Sequence, residues 1–188
     1  MDTLLVAFLL ASLTAIGDRS HLLALELGQR TESVNLSISG LALAAALNIS
    51  VAAFGGMMMA DTLNIRSANL LTGLAILYAG GSGLFARHQL AIHAVQLKPS
   101  SLIRITSRFF MIGFGDKIAF LTFALSARMD QPLLAGIGAI AGIMAAHIWP
   151  LLLGPEWLTI IPLSTARHMI GLVFLISGIA IIIISLAF

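Results

Sequence analysis

Apolar residues run along this chain in six long blocks, separated by short polar or turn-forming stretches. The blocks cover residues 3–28, 39–60, 68–85, 108–127, 133–153 and 167–188, and the separators are 29–35, 61–67, 87–105, 128–132 and 154–166. A helix that crosses a bilayer needs about 20 mostly apolar residues at a rise of about 1.5 Å each. The pattern therefore predicts six transmembrane helices. The first block starts with Asp2 and no Lys or Arg, and its apolar run passes Gly17-Asp18, so it reads as a retained helix and not a leader. Within the longest separator, Leu90, Ala91, Ala94, Val95 and Leu97 suit a short interfacial helix ended by Pro99.

Composition sharpens this picture. Of 188 residues 59% are hydrophobic and only 10% charged, with a mean hydropathy of +1.04; a soluble domain carries roughly 25% charged residues. Such a chain cannot cover a soluble fold with polar groups, which excludes a soluble enzyme, a nucleic-acid-binding module and a disordered protein. The net charge is only +2 and no run of Lys/Arg exists, so the high isoelectric point says nothing about nucleic acid. Cysteine is absent, and with it disulfides and thiolate metal sites. The expected class is an all-α integral membrane protein whose first partner is the lipid bilayer.

An internal repeat organises the six spans. Adding 98 to a position in the first half superposes Gly17-Asp18-Arg19 on Gly115-Asp116-Lys117, Arg30 on Arg128 and Gly40 on Gly138 without a gap. It also superposes Gly56 on Gly154, Ala68 on Ala166, Gly73-Leu74 on Gly171-Leu172 and Gly80 on Gly178. There are 13 identities in the 64 pairs from position 17 to 80, and they include an intramembrane Gly-Asp-basic triplet and a ladder of glycines. Residues 1–86 and 106–188 then form two three-helix repeats, joined by a linker over 87–105. An odd number of spans per copy makes the copies insert with opposite orientation, an inverted-topology repeat. Arg30, Arg87, Lys98, Arg104, Arg108 and Arg167 fall on one side, against Arg66 and Arg128 on the other. The positive-inside rule places the linker in the cytoplasm and both termini on the opposite side.

Two acidic residues stand well inside the spans. Asp18 and Asp116 each precede an arginine by 12 residues, which along a straight helix is about 18 Å, slightly over half of a ~30 Å hydrocarbon core. Both are expected near the midplane, where an ionisable group is costly and marks a substrate or proton pathway. Gly17, Gly113 and Gly115 beside them suit a loosened or closely packed helix whose freed carbonyls face a cation or a neighbour. Gly138, Gly142 and Ala146, and Ala79 with Gly83, read as small-residue packing ladders. Adjacent helical residues do not share a face, so Arg19 and Lys117 are each expected to pair with the aspartate of the opposite half. No Ser/His or HExxH constellation of an intramembrane enzyme is present.

Gly17-Asp18-Arg19-Ser20 and Gly115-Asp116-Lys117-Ile118, each in the first span of a half, resemble uncharacterised protein family 0016. This is the GDT family of Golgi, thylakoid and bacterial manganese/calcium transporters, with two copies of Glu-x-Gly-Asp-(Lys/Arg)-(Ser/Thr). The resemblance spans essentially the whole chain. It implies a cation/proton antiporter, with Mn2+ or Ca2+ and the proton as substrates and no permanently bound cofactor. By the same resemblance Asp18 and Asp116 are cation ligands, with Arg19, Lys117 and Ser20 at the following motif positions. The chain departs from the motif at Ala15 and Gly113, where glutamates would stand, and at Ile118, where a hydroxyl would stand. Hard divalent cations favour several oxygen ligands, so other side chains become candidates. His21 lies three residues after Asp18, and Asn48 and His147 occupy nearly equivalent places, since 48 plus 98 is 146. Glu26 reads as interfacial, His88, His93 and His168 as solvated or facing headgroups, and Trp149 and Trp157 as interfacial anchors. The alternatives are a transporter of another ion and a non-transporting scaffold of the same fold. The short loops point to a bacterial inner membrane, and a homodimer is compatible with the surface.

Overall fold

A computed structural model describes residues 1–30, 33–85, 101–160 and 162–187; for Gln29, Arg30 and Pro155 only the backbone is described. The helices in chain order are α1 (Asp2–Ala15), α2 (Arg19–Arg30), α3 (Val34–Ala60), α4 (Ile65–Phe85), α5 (Leu102–Gly113), α6 (Lys117–Met129) and α7 (Pro132–Leu153). A 3-10 turn (Gly154–Glu156), the short α8 (Trp157–Ile160) and α9 (Leu163–Ala187) complete the fold, and no strand occurs among the described residues. Helices α3, α4, α7 and α9 are each long and apolar enough to cross a membrane. The pairs α1–α2 and α5–α6 satisfy the same test together, giving six spans if each bent pair counts as one.

The first and fourth apolar blocks are therefore not straight helices. They bend by 70° and 68° at three-residue breaks, 16–18 and 114–116. The breaks share one backbone conformation. Ile16 has φ −64°, ψ 123° and Phe114 has φ −70°, ψ 121°, each followed by a glycine at positive φ, +73° for Gly17 and +70° for Gly115. Glycine alone adopts this region without steric cost, and the left-handed residue turns the chain out of the preceding helix. The 12 residues from each aspartate to its arginine run along one unbroken helix, α2 or α6, because each break ends at the aspartate.

Element boundaries shift accordingly. Helix α5 begins at Leu102, so residues 102–105 of the expected linker are helical. Its expected interfacial helix, with Leu90, Ala91, Ala94, Val95 and Leu97, lies outside the described residues. The matched glycines Gly56 and Gly154 also part company. Gly56 lies inside α3, where a Cβ would come within 2.3 Å of the Phe123 carbonyl oxygen. Gly154 ends α7 at φ +54°, ψ −132°. Pro155 accounts for the difference: it has no N–H to continue the helix and biases the residue before it away from helical geometry.

Packing rests on small residues inside and large ones outside. Ala11, Ala15, Ala44, Ala139, Ile49, Ile105 and Ile143 are buried in the main cluster, whereas Val51, Phe54, Ile176 and Ile183 are each about 60% exposed. This suits a lipid surround, where close helix approach replaces hydrophobic exclusion. On α7, a Cβ on Gly138 or Gly142 would meet the α1 carbonyls of Leu4 at 2.3 Å and Phe8 at 2.5 Å. Between α4 and α9, Gly80 faces the Gly171 carbonyl and Gly73 the Gly178 carbonyl. With the offset of 98, this pairing is its own exchange: Gly73 meets the counterpart of Gly80, and Gly80 meets the counterpart of Gly73. Two-fold-related helices make such reciprocal contacts.

Candidate functional site

Each break hands its aspartate to the start of the next helix. The Leu22 N–H bonds the Asp18 carbonyl and the Phe120 N–H the Asp116 carbonyl, both at 3.0 Å, so the two residues stand at the mouths of α2 and α6. A negative charge there is favoured by the helix dipole. Lys117, the first residue of α6, meets the same dipole with the wrong sign, and it is also buried. The Asp18 carboxylate compensates: Lys117 Nζ donates to Asp18 Oδ1 at 3.0 Å, and both side chains are 7% exposed. This is the cross-half pairing expected for Lys117. Arg19 does not mirror it, because Arg19 is exposed and Asp116 has no ion-pair partner among the described residues.

The remaining candidates separate into two groups. Asp116, Asn48 and Ser20 line one cavity of about 40 Å³ together with apolar residues of α3, α5, α6 and α7. Asn48 reaches it from α3, held by a 3.1 Å bond from Nδ2 to the Phe110 carbonyl near the end of α5, while its buried Oδ1 has no partner among the described residues. Gly113 makes room for that amide, since a Cβ there would sit 2.8 Å from Nδ2. The cavity thus offers a carboxylate, an unpartnered amide oxygen and a hydroxyl, all hard oxygens of the kind that alkaline-earth and Mn2+ ions favour. Asn48 also borders a larger apolar cleft of about 590 Å³ beside Phe114 and Gly115.

His21 and His147 line neither space. They are fully buried, with ring centroids 5.7 Å apart. The His147 Nδ1 lies 2.7 Å from the Ile143 carbonyl, which only accepts, so Nδ1 carries a proton; Nε2 then accepts from Ser20 Oγ at 3.0 Å. Trp157 Nε1 donates to His21 Nε2 at 3.2 Å, and His21 Nδ1 is buried without a partner. Among the described residues no three His, Cys, Asp or Glu side chains come together in a group able to hold a metal ion. The five residues read as ligands from the sequence are thus divided between an ion pair (Asp18), a cavity (Asp116, Asn48) and a hydrogen-bonded histidine pair (His21, His147).

Two contributors were not legible from the pattern. Trp157, expected as an interfacial anchor, turns inward to His21; the α7 stop at Gly154-Pro155 brings it there. Trp149 is 54% exposed. Arg167, expected only as a basic flank, runs its stem along the first break, its Cβ and Cδ lying 3.5 and 3.6 Å from where a Gly17 Cβ would be. Its repeat counterpart is the uncharged Asn69, so neither motif nor repeat signals it. His168 is exposed and bonds the Ser164 carbonyl, while His88 and His93 lie outside the described residues.

No curated protein and no solved structure matches this chain. A family model does match, the divalent cation/proton antiporter GDT1, over residues 3–90 and 101–187. The two matched segments start at positions 3 and 101, the same offset of 98 that aligns the halves. With bent, apolar, membrane-length helices and paired Gly-Asp-basic breaks beneath that match, the chain belongs to the GDT1 family of divalent cation/proton antiporter-like membrane transporters.

Proposed function

We propose that this protein exchanges a divalent cation, Mn2+ or Ca2+, for protons, with Asp18 and Asp116 at a central site between two inverted three-helix repeats. The observation that carries the reading is the buried Lys117–Asp18 pair beside the Asp116 cavity, at two glycine breaks of one conformation. Broken helices that meet head-on offer N–H groups, carbonyls and acidic side chains at one depth, the arrangement used by transporters with repeated halves. The reciprocal α4–α9 glycine contacts support the inversion. Cargo settles against Asp116, Asn48 Oδ1 and Ser20. Lys117 holds Asp18 in the empty state and releases it toward an arriving cation, so pairing with Lys117 and ligation of cargo exclude each other. His21 and His147 position Ser20 and the α2 mouth instead of ligating cargo.

The single carboxylate in the cavity favours, as a second reading, a monovalent cation. The host membrane is proposed to be a bacterial inner membrane with the linker cytoplasmic. Flux of Mn2+, Ca2+ and Na+ in proteoliposomes, with and without a pH gradient, tests the function. Proton-driven divalent flux that disappears in Asp116→Asn is expected. Na+ flux alone would select the second reading, and no flux from folded, inserted protein would leave a scaffold.

A further inference from the structure

Lys117 also lines a second polar space. A crevice of about 10 Å³, room for one water-sized particle, is walled by α1, α4, α6 and α9. Among the described residues its polar lining is Thr14, Lys117 and Arg167, with no acidic residue. Thr14 is 5% exposed, and its Oγ1 has no hydrogen-bond partner among the described residues. The Arg167 Nε–H is likewise buried and unpartnered. Lys117 has three donors, of which Asp18 takes one. Buried donors without acceptors are rare and costly, and here donor-bearing residues of three elements line a space for one small particle.

We propose that this crevice binds a small inorganic anion of the chloride class, held by Arg167 Nε–H, the Thr14 hydroxyl and the Lys117 ammonium. A water would satisfy single hydrogen bonds but would bring no counter-charge to Arg167, whereas Lys117 already has Asp18. The electrostatics of cargo make the distinction sharper. Asp18 is paired with Lys117 as the site stands, and Arg167 has no ion-pair partner among the described residues, so a divalent ion adds further positive charge. When Asp18 turns to the cargo, Lys117 loses its counter-charge, and an anion in the crevice replaces it. The anion's existence is independent of the transport reading; its role in stabilising the cation-loaded state rests on that reading.

The test compares melting temperatures of the detergent-solubilised protein in sodium chloride and in sodium gluconate at equal ionic strength, without divalent cation. Chloride should raise the melting temperature of the wild type by a few degrees, and the rise should be absent in Arg167→Gln. Thr14→Val should weaken it, raising the half-saturating chloride concentration several-fold, and stands as the informative variant if Arg167→Gln does not fold. Equal melting in both salts would overturn the proposal and leave a water, and so would a chloride effect that survives in both variants. Mn2+ flux in the same two salts separates the two readings. A chloride-dependent melting shift without flux in either salt would sink the antiporter reading alone. Flux and melting both indifferent to chloride would sink the anion site alone.

Discussion

Neutralising one member of the Lys117–Asp18 pair should damage the fold far more than neutralising both. The two charges lie 3.0 Å apart, with each side chain 7% exposed. At an effective dielectric of about 20 their attraction is about 5 kcal/mol. Lys117→Gln leaves the carboxylate buried without its counter-charge, and Asp18→Asn leaves the ammonium so; either change to a buried pair costs about 3–5 kcal/mol. For a chain of this size that is a fall of about 6–20 °C in melting temperature. Asp18→Asn/Lys117→Gln replaces the ion pair by two amides able to bond one another, and should return to within about 2 kcal/mol of wild type. The assay is a thermal double-mutant cycle in detergent, run beside cation flux in proteoliposomes. The double variant should be stable and inactive. Single variants that each lose under about 1 kcal/mol, or a double variant as unstable as the sum of the singles, would refute the reasoning by showing the pair to be solvated or uncoupled.

Three further outcomes follow from the geometry. Gly17→Ala and Gly115→Ala should each cost about 1–2 kcal/mol from the left-handed backbone alone, because an added Cβ meets only ordinary contacts at 3.5 Å or more at the first and nothing at the second; matched thermal melts check this. Gly56→Ala should cost about 3 kcal/mol or more, since its Cβ would sit 2.3 Å from the Phe123 carbonyl, whereas Gly81→Ala, with nothing within 4 Å, should be neutral or slightly stabilising in the same assay. Trp157→Phe removes the donor to His21 Nε2 and should cost about 1–3 kcal/mol, with a loss of flux if the histidine pair positions Ser20.

The sequence by itself determined the solvent, the apolar blocks and the places where two of them break. Long apolar blocks with few charges leave a bilayer as the only compatible surround. Gly17-Asp18 and Gly115-Asp116 carry their own backbone instruction, because a glycine admits the positive φ that ends a helix. Those properties depend on local composition and conformation, which one strand of text records. The sharp bend was read only as a loosened helix, since a glycine permits a turn without stating its angle. Tertiary structure alone decided which polar groups meet. Asp18 could have faced a cation, Arg19 or Lys117, and helix crossing chose Lys117. Asn48 and His147 lie at nearly equivalent places in the two halves, yet Asn48 joins the Asp116 cavity while His147 bonds Ser20. Pro155 explains part of that asymmetry, for it ends α7 where α3 continues and sends Trp157 to His21. Arg167 reaches the first break from the last helix, 150 positions away from Gly17 in the chain. Contacts at that separation are set by the packing of small residues between helices, and no spacing along the sequence encodes them.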